Sequence, residues 1–218
     1  MRSSVEFATA LTLAFAAHEA SAPCMPASSD YRIPARARGG ARSRNRRAGR
    51  AAARLAIARA SGIEDVGRIV LRSRPDTSPA AFLLGACGAV RELPVALSIA
   101  HSADHAVAAV APRSSRVGVD LERCGSVKTR QLRYFLTPAE RRGGRRHSPT
   151  ALWVLKEAAW KALGCNGGTP FTSVTLHFDA RGRVSTVGRD GQMIGVRTAL
   201  LRPWPGFICA VVAEGEPR

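Results

Sequence analysis

The sequence predicts an α+β protein made of two similar halves, a pseudo-dimer in which each half packs one long helix on a small antiparallel sheet. Two observations predict it. Residues 44–60 and 151–163 carry helical periodicity, and each is followed by short alternating apolar runs punctuated by Gly and Pro. The joint falls near 112–116, and the halves share no detectable sequence repeat. The expected division is an unassigned segment 1–40, an N-terminal half 41–113 and a C-terminal half 114–218.

Along the chain, Arg2, the apolar stretch 8–17 and Ala20-Ser21-Ala22 imitate a signal peptide with its cleavage site. Glu6 in the charged region, with Thr9 and Thr12 breaking the apolar stretch, favours a first strand or helix of the fold, or an extension. Residues 31–50 are rich in Arg, Gly and Pro and contain no acid. From Arg44 the run RNRRAGRAAARLAIARA is helical, with Ala and Leu supplying propensity and arginines repeating along one side, until Ser61-Gly62 stops it. Strands are expected at 66–71, 81–85, 89–97 and on both sides of Ser102-Ala103-Asp104, then at 117–121. Helical signals return at 129–135 and at 136–140, where Thr137 as N-cap, Pro138 in the first turn and Glu140 form a capping box. After a loop at 143–149, the helix 151–163 ends at Gly164. Strands at 173–178, 183–187, 193–201 and 207–213 complete the chain.

The 45% hydrophobic content and mean hydropathy of −0.07 are those of a soluble globular chain. No apolar run approaches the ~20 residues of a membrane helix. Five scattered cysteines, Cys24, Cys87, Cys124, Cys165 and Cys209, have no metal-ligand spacing and read as free thiols in a reducing, cytoplasmic compartment. With 33 Lys+Arg against 16 Asp+Glu, the net charge of +17 favours polyanionic partners, although an Arg-rich composition sweeping the whole chain explains it equally well. Only three lysines occur, Lys128, Lys156 and Lys161, and two of them lie five residues apart. That pattern suggests a compact ammonium is wanted there.

Asp120 and Glu122, two apart on an expected strand, point to one face while Val119 and Leu121 point to the core. A Mg²⁺ ion shared with substrate phosphates would relieve their repulsion; a solvent-facing edge countered by Arg116 or Arg123 is the alternative. In LWVLKEAAWKALG, Leu152, Leu155, Ala159 and Leu163 form an apolar stripe. Glu157 and Lys161 pair at i,i+4 beside Lys156, which is commonly a plain solvent face. Here Trp153 and Trp160 flank the charges and favour a partly buried site. His101, in LSIAHS, is either a satisfied core histidine or a phosphate ligand, and His105 shares the ambiguity.

LSIAHS, VGVDLE and WVLKEAAWKALG, in this order, resemble the motif set of the 4'-phosphopantetheinyl transferase superfamily. The spacings of 19 residues from His101 to Asp120 and 37 from Asp120 to Glu157 look like its double-length, monomeric branch, which activates peptide and polyketide synthases. AGRAAARLAI is similar to that branch's first helix, so the resemblance spans 44–212. It implies Mg²⁺-dependent transfer of the phosphopantetheine arm of coenzyme A to a serine of an acidic carrier protein, releasing 3',5'-adenosine bisphosphate. By the same resemblance, Asp120, Glu122 and Glu157 match the metal-binding carboxylates, and Glu157 the candidate general base. Lys161, Lys156 and His101 match groups that hold coenzyme A, and Arg50, Arg54 and Arg47 (or Arg46) the basic residues near its 3'-phosphate. Two departures stand out. Ala100 replaces a common Ser, removing one expected hydroxyl contact, and GACGAVRELP replaces the usual Gly-Lys-Pro stretch. The basic segment 123–146, with Lys128, Arg130, Arg133, Arg141, Arg142, Leu132 and Phe135, is the expected carrier surface. A nucleic-acid-binding protein using the arginines of 31–60, with no zinc-finger spacing or aromatic platform to support it, and an inactive homologue are the competing readings.

Overall fold

The computed structural model describes residues 11–17, 41–74, 78–85, 87–165 and 167–215, the first three of the second stretch by backbone alone. Arg2, Glu6, the Ala20-Ser21-Ala22 site, Cys24 and the part of the arginine-rich stretch before residue 41 lie outside them.

Thr12–Ala17 forms strand β1, which runs antiparallel to β6 (His105–Pro112). Helix α1 (Ala41–Ser61) follows, then β2 (Ile69–Ser73), β3 (Pro79–Leu84), β4 (Val90–Glu92) and β5 (Val95–Ser102), which precedes β6. Where a strand is expected from residue 66, a 3-10 turn comes first (Val66–Arg68), because the Asp65 carboxylate accepts from Gly67 N at 2.8 Å. The second half contains β7 (Val117–Arg123), a 3-10 helix (Thr129–Tyr134), α2 (Pro138–Gly143) and α3 (Pro149–Ala162). Strands β8 (Val174–Phe178), β9 (Val184–Arg189), β10 (Gln192–Leu201) and β11 (Phe207–Glu214) end the chain.

All pairings are antiparallel, in the orders β1-β6-β5, β2-β3-β4 and β7-β11-β10-β9-β8. The two halves use one plan with one interruption. In the second half, the single strand β10 pairs with β9 through 192–195 and with β11 through 196–201. In the first half, β4 pairs with β3 and β5 pairs with β6, and Leu93-Pro94 splits what would otherwise be one strand. Proline lacks the N–H a ladder needs, so the break falls there.

Strands β6 and β11 are buried on both faces, which is why HAVAAVAP and FICAVVAE read as near-continuous apolar runs. Ala108 and Val110 meet Ala52, Ala53, Ala56 and Ile57 of α1. Ile208, Ala210 and Val212 meet Val154, Leu155, Ala158 and Ala159 of α3. The opposite faces, Val107, Ala109 and Ala111 with Cys209 and Val211, close a third core together with Ala100, Val119 and Leu121. That third core is the seam between the halves.

Candidate active site

The site begins with a glycine. A Cβ on Gly118 would stand 1.8 Å from Ala158 O and 2.6 Å from Ala162 N, so only glycine lets α3 lie directly on β7. Asp120 shares the Gly118 face of β7, and the close approach brings the polar side of α3 over it. Lys161 Nζ lies 2.9 Å from Asp120 Oδ1, 3.1 Å from Glu157 Oε1 and 3.2 Å from Val119 O. The i,i+4 pair on α3 therefore belongs to a three-residue cluster across helix and strand, with Asp120 almost wholly buried.

Burial pushes the Asp120 carboxyl up to about 7, against the opposing pull of Lys161, with Glu157 adding to the rise. Burial works against the Lys161 charge as well, but Asp120 and Glu157 outweigh it and raise its pKa. Asp120 Oδ2 is buried and has no hydrogen-bond partner among the described residues. Glu122 completes the acidic group: its Oε2 accepts from Ser102 Oγ at 3.1 Å and from Arg123 N at 3.3 Å. Among the described residues, no three His, Cys, Asp or Glu side chains are already drawn together as a cation cage, and an ammonium stands between two of these carboxylates. The orphaned Oδ2, in an all-oxygen donor set from Asp120, Glu122 and Glu157, nevertheless fits a hard divalent cation.

Beside this cluster opens a cleft of about 640 Å³. The first half contributes Arg46 and Arg50 from α1, Arg72 and Ser73 from β2, Ser78, and Ile99 and His101 from β5; α3 contributes Trp160 and Lys161. Among the described residues, none that lines it is acidic. A cavity of this size, walled by guanidinium, ammonium and hydroxyl groups, suits a ligand with several phosphate charges.

The structure brings Asp120, Glu122, Glu157, Lys161, His101 and Arg50 to this region, where the cleft lining includes Arg46 and not Arg47. Three expected phosphate ligands do not line the cleft. Arg47 is exposed on α1 and does not line the cleft, and Arg54 donates Nε to Ile69 O at 2.9 Å. Lys156 is fully buried: its Nζ donates to Glu140 Oε1 and to Val174 O, both at 2.5 Å. Ala100 lies in the seam core and not on the cleft wall, so its methyl removes no contact there. His105 is buried against Trp204 and Phe207, and burial lowers its pKa, which makes it a core histidine. On the expected carrier surface, Lys128, Arg130, Arg133, Arg141 and Arg142 are exposed. Phe135 is instead buried edge-on to Trp153, and Tyr134, at 66% exposure, is the apolar group presented there.

Sequence reasoning missed Arg72, Ser73, Ser78 and Ser102. The exposed polar end of β2, where Arg72 and Ser73 follow the buried Leu71, was the available signal for the first two.

Residues 116–212 match the family model of the 4'-phosphopantetheinyl transferase superfamily, a stretch that holds Asp120, Glu122, Glu157 and Lys161. Among solved structures, the chain is similar to holo-[acyl-carrier-protein] synthase of Thermotoga maritima, at 22% identity and a TM-score of 0.33. That match covers 47% of this chain and 64% of the other, and likeness of this degree carries no argument about function. No curated protein matches the chain.

Proposed function

With a 4'-phosphopantetheinyl transferase superfamily domain at 116–212 as the premise, we propose that the chain transfers the 4'-phosphopantetheine group of coenzyme A to a serine of an apo carrier protein, with Mg²⁺. The observation that carries this reading is the basic cleft ending at Lys161, which is itself gripped by Asp120 and Glu157. Together they support an anion-binding surface beside a carboxylate cluster.

In this reaction the serine Oγ bonds to the phosphorus bearing pantetheine, the pyrophosphate P–O bond breaks, and 3',5'-adenosine bisphosphate leaves with the electron pair. Chemistry of this kind needs positioning and charge neutralisation more than covalent help. Mg²⁺ held by Asp120, Glu122 and Glu157 would neutralise charge on the pyrophosphate oxygens. Lys161 adds a point charge at the cleft wall, while Arg46, Arg50, Arg72 and His101 hold the remaining phosphate charge. Glu157, about a quarter exposed, is the carboxylate able to meet an incoming serine and accept its proton. Both walls of the cleft come from one chain, which supports a monomeric enzyme. The exposed arginines around α2 give an acidic carrier an electrostatic landing surface. No helix among the described residues is long and apolar enough to cross a membrane.

The test mixes the protein with coenzyme A, Mg²⁺ and an apo carrier protein and weighs the carrier. A gain of one phosphopantetheine, abolished in a folded Glu157→Gln variant, is the expected result. Coenzyme A binding without a mass gain, salt-sensitive retention on nucleic acid in its place, or full turnover by Glu157→Gln would overturn it.

A further inference from the structure

Strand β5 turns residues 98, 100 and 102 to one side, and two of them are serines that reach β7 across the seam. Ser98 Oγ accepts from Val119 N at 3.1 Å, satisfying a backbone group on the edge of β7 that β11 does not cover. Ala100 packs between them in the seam core. Ser102 differs, because what it reaches is a carboxylate: its Oγ donates to Glu122 Oε2 at 3.1 Å.

Glu122 therefore differs from the other two acids. Asp120 and Glu157 are held by the charge of Lys161. Glu122 is held by a neutral hydroxyl and by the adjacent backbone N–H of Arg123, both on Oε2. A neutral donor fixes the carboxylate's orientation without offsetting its charge, and neither bond uses Oε1. Mg²⁺ demands near-ideal octahedral geometry and tolerates little error in ligand placement.

We propose that Ser102 is a positioning residue: its hydroxyl, supplied by the N-terminal half, holds Glu122 in the orientation in which the C-terminal half binds a divalent cation. This rests on the cation reading of Asp120, Glu122 and Glu157 given above. It also gives the first half a part in the cation site although it contributes no cation ligand. Hydrogen-bond partners behind metal ligands typically change metal affinity about 10–100-fold when removed, which sets the expected effect.

The experiment measures Mn²⁺ binding to the full chain by the electron paramagnetic resonance of free Mn²⁺, with melting temperature followed in parallel. Valine and threonine are nearly isosteric, so Ser102→Val and Ser102→Thr separate the hydroxyl from the shape. Ser102→Val and Ser102→Ala should bind Mn²⁺ about 10–100-fold more weakly than wild type, and Ser102→Thr should bind near wild type. In a Glu122→Ala background, which has no side-chain acceptor for the hydroxyl, Ser102→Ala should add less than about twofold, because its route of action is already gone. Unchanged affinity in Ser102→Val, or a full further loss in the Glu122→Ala background, overturns the proposal. So does a loss of melting temperature without a loss of affinity. A wild type that binds no Mn²⁺ overturns the cation reading and the proposal with it. The expected affinity pattern in a protein that transfers nothing would sink only the transferase reading.

Discussion

Replacing Lys156 with methionine separates a structural lysine from a ligand-binding one. Its ammonium and the Glu140 carboxylate are both fully buried and 2.5 Å apart. Glu140 is over-committed in a useful way. Oε1 also accepts from Leu176 N at 2.9 Å, and Oε2 accepts from Thr137 N at 2.7 Å. One carboxylate thus caps α2, pins β8 and neutralises α3. Methionine keeps the apolar stem and removes the charge, leaving a buried carboxylate without a counter-ion. Breaking such a pair costs about 3–5 kcal/mol. The two backbone donors that remain on Glu140 put Lys156→Met toward the lower end. For a chain of this size each kcal/mol moves the melting temperature by about 2–4 °C, so a fall of about 6–15 °C is expected. Adding Glu140→Gln should recover only part of it: the unpaired charge is gone, but the amide has one acceptor oxygen for the two backbone N–H groups of Thr137 and Leu176. The assays are thermal unfolding by circular dichroism and coenzyme A saturation curves taken well below the transition. Lys156→Met with wild-type melting and a raised KM for coenzyme A would refute the reasoning and return Lys156 to the cleft.

Gly118→Ala should abolish transfer and destabilise the protein by at least about 1–3 kcal/mol, because the new methyl meets the backbone of α3, which has no side chain to move aside; wild-type turnover would show that α3 need not touch β7. Asp120 keeps its proton up to about 7 in the folded protein and loses it near 3.8 when unfolded. The folded state thus binds the extra proton in that window, so cation-free stability should fall as pH rises from about 4 to about 7. Asp120→Asn should flatten that slope in pH-resolved melting, and Mg²⁺ affinity in the wild type should tighten as pH rises through about 7. Reversing charge at Arg133 and Arg141 should raise the KM for carrier several-fold, most at low salt, and leave that for coenzyme A unchanged; an unchanged carrier KM would remove the docking surface.

Elements announced by local chemistry were legible in the sequence. Thr137, Pro138 and Glu140 form the capping box their order implies, with Glu140 N donating to Thr137 Oγ1 at 3.2 Å. The last four strands lie within two residues of their expected limits, because turns at 180–182 and 190–191 punctuate them. Asp120 and Glu122 share a face because strand alternation is local. The burial of Lys156 was not legible because periodicity gives a helix face but not what covers it. α3 is buried around most of its circumference, and the partner of Lys156 sits sixteen residues away on another helix. Phe135 failed for the same reason: the 3-10 helix before it turns its ring into an aromatic cluster with Trp153. Ser102 was invisible as a partner of Glu122 because nothing local joins β5 to β7.

Strand β1 has a practical consequence for anyone shortening this chain. From Thr12↔Val110 to Ala17↔His105 it covers one whole side of β6, and its own Ala14 and Ala16 are buried. A version trimmed to start at α1 would keep every residue of the cleft and still bare a six-residue ladder of backbone donors and acceptors on an apolar strand. Open edges of that kind recruit a second chain. The segment most tempting to discard as a leader is thus the one that protects the rest from aggregation.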